Sequence, residues 1–269
     1  MSGGGDEGGF DRLSGAPRPA AAGGAPPAGI RTVPGGASAT ATRMVLVRHG
    51  EAVCNVTGVC GGIAGCRGLT GRGVDQVGAL RRRLDRTGEL AGAAALYASE
   101  LPRAVRTAEL LAPALGVRGP SGGQGAAPPV RRDCGLCELH PGKADGLTWA
   151  EFSDRFGDPG WDSTPDRPIA PGGESWTGFV RRVAATLATV AARHPGGKVV
   201  VACHAGVIEA SLLAMLPIDG GQDGARLGLR TRHASLTTWE VDAGRWRLES
   251  YNDASHLDEP RPTAAAQQA

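Results

Sequence analysis

Met44-Val45-Leu46-Val47-Arg48-His49-Gly50-Glu51 is the stretch on which the reading of this chain turns. Four residues of strand-forming character deliver an arginine and a histidine to a strand end, and the glycine lets the backbone turn there. In α/β sheets ligands bind beyond the carboxyl ends of the strands, so chemistry is expected at this point. The pair suits attack on phosphorus. Imidazole is a good nucleophile, and a guanidinium grips phosphate oxygens in a bidentate way.

A second stretch repeats the design. Lys198 to Cys203 is an apolar, β-branched run, the pattern of a central strand buried on both faces, and it ends in His204-Ala205-Gly206. Two histidines at the ends of two buried strands would converge on one rim of the sheet. Between them, Ser99-Glu100-Leu101-Pro102-Arg103 reads as a strand end followed by a helix start. Arg103 then lies in the first turn, near the positive end of the helix, where an anion is welcome.

Further outward, hydrophobic periodicity supplies the frame. Thr70 opens a helix with Val74, Val77, Leu80 and Leu84 as its apolar positions, and Ala93 to Ala98 reads as the second strand. Helices are expected from Leu101 to Leu115, Trp149 to Phe156, Glu174 to Arg193 (the longest) and from behind His204 to Met215. Strand-like pieces lie near Ser235 to Val241 and Arg245 to Ser250, while Gly50 to Leu69 and Gly116 to Pro129 read as loops. Alternating strands and helices predict a three-layer α/β/α sandwich around a mostly parallel sheet.

Composition narrows the class. Residues 1–40 are dominated by Gly, Ala, Pro and Ser, with a few charges and isolated apolar residues such as Ile30 and Val33, and cannot bury enough apolar surface to offset their ordering entropy, so they are expected to be disordered. Residues 260–269 read the same way, which leaves 41–259 as one α/β domain. The formal net charge of +2 gives no ground for a nucleic-acid partner, and no apolar run approaches the ~20 residues that span a bilayer. A cytoplasmic protein is expected, and a homodimer is compatible with the sequence. The six cysteines lack the paired spacing of a structural zinc site; Cys134-Gly135-Leu136-Cys137 is a single Cys-x-x-Cys, and free thiols are expected.

Several motifs in order resemble the histidine phosphatase superfamily, the phosphoglycerate-mutase-like proteins. Its Arg-His-Gly-Glu followed by Asn is matched by Arg48, His49, Gly50, Glu51 and Asn55. The Ser-x-Leu-x-Arg-Ala-x-x-Thr-Ala motif is matched at Ser99 to Ala108, Leu-x-Glu at Leu136 to Glu138, and Pro-Gly-Gly-Glu-Ser at Pro171 to Ser175. The strand ending in His-Gly-Gly is matched by His204-Ala205-Gly206 with one change, which is tolerable if Ala205 keeps a negative φ.

The resemblance implies a metal-independent phosphomonoesterase without a cofactor, acting on a small phosphorylated substrate through phosphohistidine. It implies His49 as nucleophile, Glu138 as general acid and base, and Arg48, Arg103 and His204 as binders of the phosphoryl oxygens. Asn55 would be a secondary phosphate or substrate contact. Apart from the resemblance, Glu51 reads as ordering the loop, and Ser99 and Arg106 as capping or bracing the helix. The His204 imidazole is expected to be cationic beside phosphate. The physics agrees, since phosphoryl transfer needs positioning and charge stabilisation more than covalent work. His49 must attack with a neutral nitrogen, so its other nitrogen has to donate. Two alternatives stand beside this reading: a phosphoglycerate mutase, for which His140 and Lys143 speak, and a non-catalytic phosphate-ligand-binding protein on the same fold.

Overall fold

The computed structural model describes residues 40–116, 126–161, 163–216 and 228–258. Its sheet is built from β1 (Thr42–Arg48), β2 (Ala95–Ala98), β3 (Val130–Arg132), β4 (Lys198–Cys203), β5 (Leu236–Asp242) and β6 (Arg245–Asp253). The spatial order is β3-β2-β4-β1-β5-β6. β1 and β4 are the middle pair, and the pairings β1–β4, β2–β4 and β2–β3 are parallel. β5 runs antiparallel to both β1 and β6. The expected mostly parallel sheet is therefore present, with one reversed strand.

Side-chain alternation along the middle strands makes the layers. Met44 and Leu46 of β1, with Val199, Val201 and Cys203 of β4, face one core. Val45 and Val47, with Val200 and Ala202, face the other. The first core is closed by α4 (Trp149–Phe156), α5 (Trp176–Ala192) and α6 (Ala205–Met215) through Phe152, Phe179, Val183, Leu187, Val207 and Ile208. The second is closed by α2 (Gly71–Thr87) and α3 (Pro102–Leu111) through Val77, Leu80, Leu84, Ala108 and Leu111. Each Val or Leu so buried contributes about 1.5–3 kcal/mol relative to exposure. Two covered faces explain why β4 reads as a continuous apolar run.

Four local expectations need correction. Val74 is 39% exposed, so the buried face of α2 runs through Gly73, Val77, Leu80 and Leu84 instead. The Leu101-to-Leu115 helix ends at Leu111 and continues as a 3-10 turn, Ala112–Leu115, in which Pro113 stands where α-helix would need its N–H. The Gly50-to-Leu69 loop contains a short helix, α1 (Val53–Thr57). α5 is not the longest helix, since α2 and α5 both span 17 residues. The segments 1–40 and 260–269, apart from Thr40, and most of the loop at 116–129 lie outside the described residues.

Candidate active site

The turn behind β1 is pressed against the start of α2. A Cβ on Gly50 would lie 2.4 Å from the Gly73 carbonyl oxygen, and one on Gly73 would lie 2.0 Å from that of Glu51. Only glycines allow this approach. Thr70 caps α2 by accepting from the Gly73 amide (2.9 Å), and its hydroxyl reaches Glu51 Oε1 (2.8 Å). Arg72 adds an ion pair to Glu51 (3.3 Å), so Glu51 does order the loop.

Held in this turn, His49 is buried and its two ring nitrogens are told apart. Nδ1 lies 2.7 Å from the Gly50 carbonyl, which can only accept. Nε2 lies 3.1 Å from Arg103 Nε, which can only donate. Both contacts demand one tautomer, with the proton on Nδ1 and the lone pair on Nε2. Burial, reinforced by the charges of Arg103, His204, Arg48 and His233, keeps the ring far below its ordinary pKa. The imidazole is neutral.

Arg103 is buried in the first turn of α3, and its second arm donates to the Gly61 carbonyl (2.6 Å). The glycine-rich segment behind α1 thus folds over the site to hold this guanidinium. Arg48 closes β1 and donates to the Thr231 carbonyl.

His204 is the N-cap residue of α6 and is fully buried. Its Nε2 lies 2.8 Å from Ser99 Oγ, and its ring centroid is 5.2 Å from that of His49. Nδ1 is buried without a hydrogen-bond partner, an atom that a bound oxyanion would satisfy. Burial, followed by the charges of Arg103, Arg48 and Arg182, pushes its pKa well down. Without an anion beside it the ring is held neutral, so the expected cationic form would apply only to a state with phosphate bound. Ala205 opens α6 and is not among the residues with positive φ, so the departure from His-Gly-Gly is accommodated.

Glu138 reaches the same helix start. Its Oε2 accepts from the Gly206 amide (3.2 Å) and its Oε1 from the Leu139 amide (3.2 Å). A Cβ on Gly206 would sit 2.2 Å from Oε1, so this glycine makes room for the carboxylate. Asn55 stands apart: it is exposed on α1, and its Oδ1 accepts from the Ala52 amide (3.0 Å) to cap that helix.

One site residue escaped the sequence reading. His233 lies 5.8 Å from His49, centroid to centroid, with its Nε2 buried and unpartnered. Burial, then Arg48 and Arg72, pushes its pKa down to about 3. It precedes β5, whose antiparallel direction brings its start to the rim where β1 and β4 end. Among the described residues, the only group of His, Cys, Asp and Glu side chains close enough to share a metal ion is Cys134, Cys137 and His140, none of which is in this imidazole cluster.

Residues 44–254 match the sequence profile described as Histidine phosphatase superfamily (branch 1). The chain belongs to the histidine phosphatase superfamily. Among relatives, a metal-independent phosphoserine phosphatase of Arabidopsis thaliana is 30% identical over 220 residues, covering 80% of this chain and 83% of that protein. Among solved structures, the mycobacterial glucosyl-3-phosphoglycerate phosphatase shares 27% identity at a TM-score of 0.59, over 79% of this chain and 99% of that one. A phosphoglycerate mutase from Bacillus anthracis shares the fold, with a TM-score of 0.64 at 20% identity over 81% and 96% of the two chains. Membership in the histidine phosphatase superfamily and the sandwich fold therefore both stand as expected.

Proposed function

We propose that the protein is a metal-independent phosphomonoester hydrolase that passes the phosphoryl group of a small metabolite through His49. The observation that carries this reading is the fixed tautomer of His49: a neutral, buried ring whose Nε2 lone pair faces a guanidinium. When a phosphate ester enters, Arg103 exchanges its bond to Nε2 for one to a phosphoryl oxygen, which frees the lone pair. Nε2 then bonds to phosphorus as the ester P–O bond breaks, and protonated Glu138 supplies the leaving alkoxide with a proton. Arg48, Arg103 and the Nδ1 side of His204 stabilise the three equatorial oxygens. Ionised Glu138 next takes a proton from water, whose oxygen displaces Nε2 and releases phosphate. Asn55 is assigned a peripheral contact and His233 an additional one beside Arg48.

Hydrolysis is favoured over mutase action by the state of His140. Its Nδ1 lies 3.4 Å from Glu174 Oε2, so a carboxylate stands beside the ring where a second phosphate would need a cation. The relatives named as phosphatases support the same direction. A cytoplasmic location belongs to this proposal and is supported by six cysteines standing as free thiols. The decisive experiment is acid-labile labelling: turnover of a labelled monoester should leave phosphohistidine on the protein, and His49→Ala should lose both label and turnover. Full turnover in His49→Ala would overturn the reading.

A further inference from the structure

The segment that brings Glu138 into the site carries a second constellation. Cys134, Cys137 and His140 each offer a ligand atom, and these atoms all lie within 4.8 Å of one another. We propose that Cys134, Cys137 and His140 form a binding site for a thiophilic divalent cation of the zinc class, distinct from the phosphoryl pocket, and that its occupancy slows turnover. The site goes beyond the hydrolytic reaction, which uses none of its three ligands.

The geometry is close to what such an ion requires. A tetrahedral ion with sulfur at ~2.3 Å and nitrogen at ~2.0–2.1 Å sets neighbouring S and N atoms roughly 3.5 Å apart. Cys134 Sγ and His140 Nε2 are 3.4 Å apart. The loop holding them is fixed without the ion. Cys134–Leu136 is a 3-10 turn, and the Cys137 amide donates to the Cys134 carbonyl (3.0 Å). Arg182 donates to the carbonyls of Cys134 (3.1 Å), Gly135 (3.0 Å) and Cys137 (3.1 Å).

His140 also has the outer partner that metal-bound imidazoles use. Its Nδ1 faces Glu174 Oε2 at 3.4 Å, which leaves Nε2 as the ligand atom. Glu174 is itself clamped by Arg182 at 2.8 and 2.6 Å. Access is open, because Cys134 is exposed and the His140 side chain is 42% exposed, while Cys137 forms the buried floor. Two thiol protons leave for solvent as the ion binds, and a water molecule would complete the tetrahedron.

The link to turnover runs through Cys137, whose Sγ lies 3.4 Å from Ser99 Oγ, the hydroxyl that holds His204 Nε2. An ion on Cys137 draws the sulfur away from Ser99, and two of its ligands flank Glu138 in the chain. Both the phosphate-binding imidazole and the proton donor are disturbed.

The test uses the full chain under reducing, chelator-treated conditions, titrated with cobalt(II) and then displaced by zinc. The wild type should bind one equivalent with the intense visible and sulfur-to-metal bands of a tetrahedral thiolate site. Cys134→Ser and His140→Gln should each weaken binding at least ~10-fold, as should Glu174→Gln. In chelator, Cys134→Ser should turn over substrate at the wild-type rate and, unlike the wild type, resist zinc. A thiolate spectrum that survives unchanged in Cys134→Ser would place the ion on the other cysteines and overturn the site, as would no spectrum in the wild type. Binding without any change in turnover would overturn the inhibitory half.

Discussion

Ser99 Oγ, one residue beyond the end of β2, lies 2.8 Å from Nε2 of His204, one residue beyond the end of β4. The two parallel strands are neighbours, and the Ser99 amide donates to the Ala202 carbonyl at 3.1 Å, so the hydroxyl is delivered by the ladder itself. Ser99 also accepts from the Leu101 amide (3.1 Å) and so braces the start of α3 as expected. Ser99→Ala leaves a buried imidazole nitrogen unsatisfied, at a cost of about 1–3 kcal/mol. Turnover should fall roughly 10-fold while Ser99→Thr restores part of it, read from kcat and KM together. A wild-type kcat in Ser99→Ala would remove its positioning role.

Glu138→Gln separates proton transfer from phosphate binding. On an alkyl phosphate, whose leaving oxygen needs a proton, kcat should drop about 10²–10⁴-fold. On p-nitrophenyl phosphate, whose leaving group needs none, the first step should persist and a burst of nitrophenolate should appear as phosphohistidine accumulates. A first step slowed as much on p-nitrophenyl phosphate as on the alkyl ester, with no burst, would contradict the acid–base role.

Gly206→Ala probes the same carboxylate from the helix side. The added carbon would sit 2.2 Å from Glu138 Oε1, so the carboxylate must move off the α6 amide. We expect a roughly 10-fold loss of kcat on alkyl phosphates and a stability change within the ~1–3 kcal/mol of overpacking. Thermal melts and steady-state kinetics on one preparation check both.

The three buried imidazoles make stability depend on pH in a definite direction. His49, His204 and His233 all have folded pKa values below the ordinary histidine value, His233 at about 3. Below about pH 6.5 the unfolded chain binds protons that these rings refuse in the folded chain, so their contribution is flat above pH 7 and falls from 6.5 toward 3. Each ring contributes a slope of up to about 1.4 kcal/mol per pH unit. Urea unfolding at pH 7, 6 and 5 measures it, and His233→Gln should reduce the slope by up to one proton.

Much of this was legible from order and pattern. The strand Met44 to Arg48, the buried run Lys198 to Cys203 and the helix to Met215 were placed because burial on both faces or at helical period leaves an unbroken trace in sequence. The five residues assigned to chemistry and oxyanion binding, His49, Glu138, Arg48, Arg103 and His204, all lie on the rim at strand ends, at helix starts or on the loop between. Gly73 was hidden because a glycine on a buried helix face carries no apolar mark, and Val74 took its place in the reading. His233 was hidden for a topological reason: a histidine before a strand reaches the rim only if that strand runs backwards, and strand direction is set by tertiary pairing. β3, three residues with one apolar side chain, is too short to show a period.

The pairing of β1 with β4 runs without a bulge from Arg43↔Lys198 to Arg48↔Cys203, so His49 and His204 leave the sheet at the same level. Each added or deleted residue inside either strand would offset one ring from the other by about 3.3 Å, more than a hydrogen bond can span. The distance between the two rings is thus ruled by a backbone ladder and not by the loops above it. Those loops are free to be rebuilt around new substrates while the ruler beneath them stays unchanged.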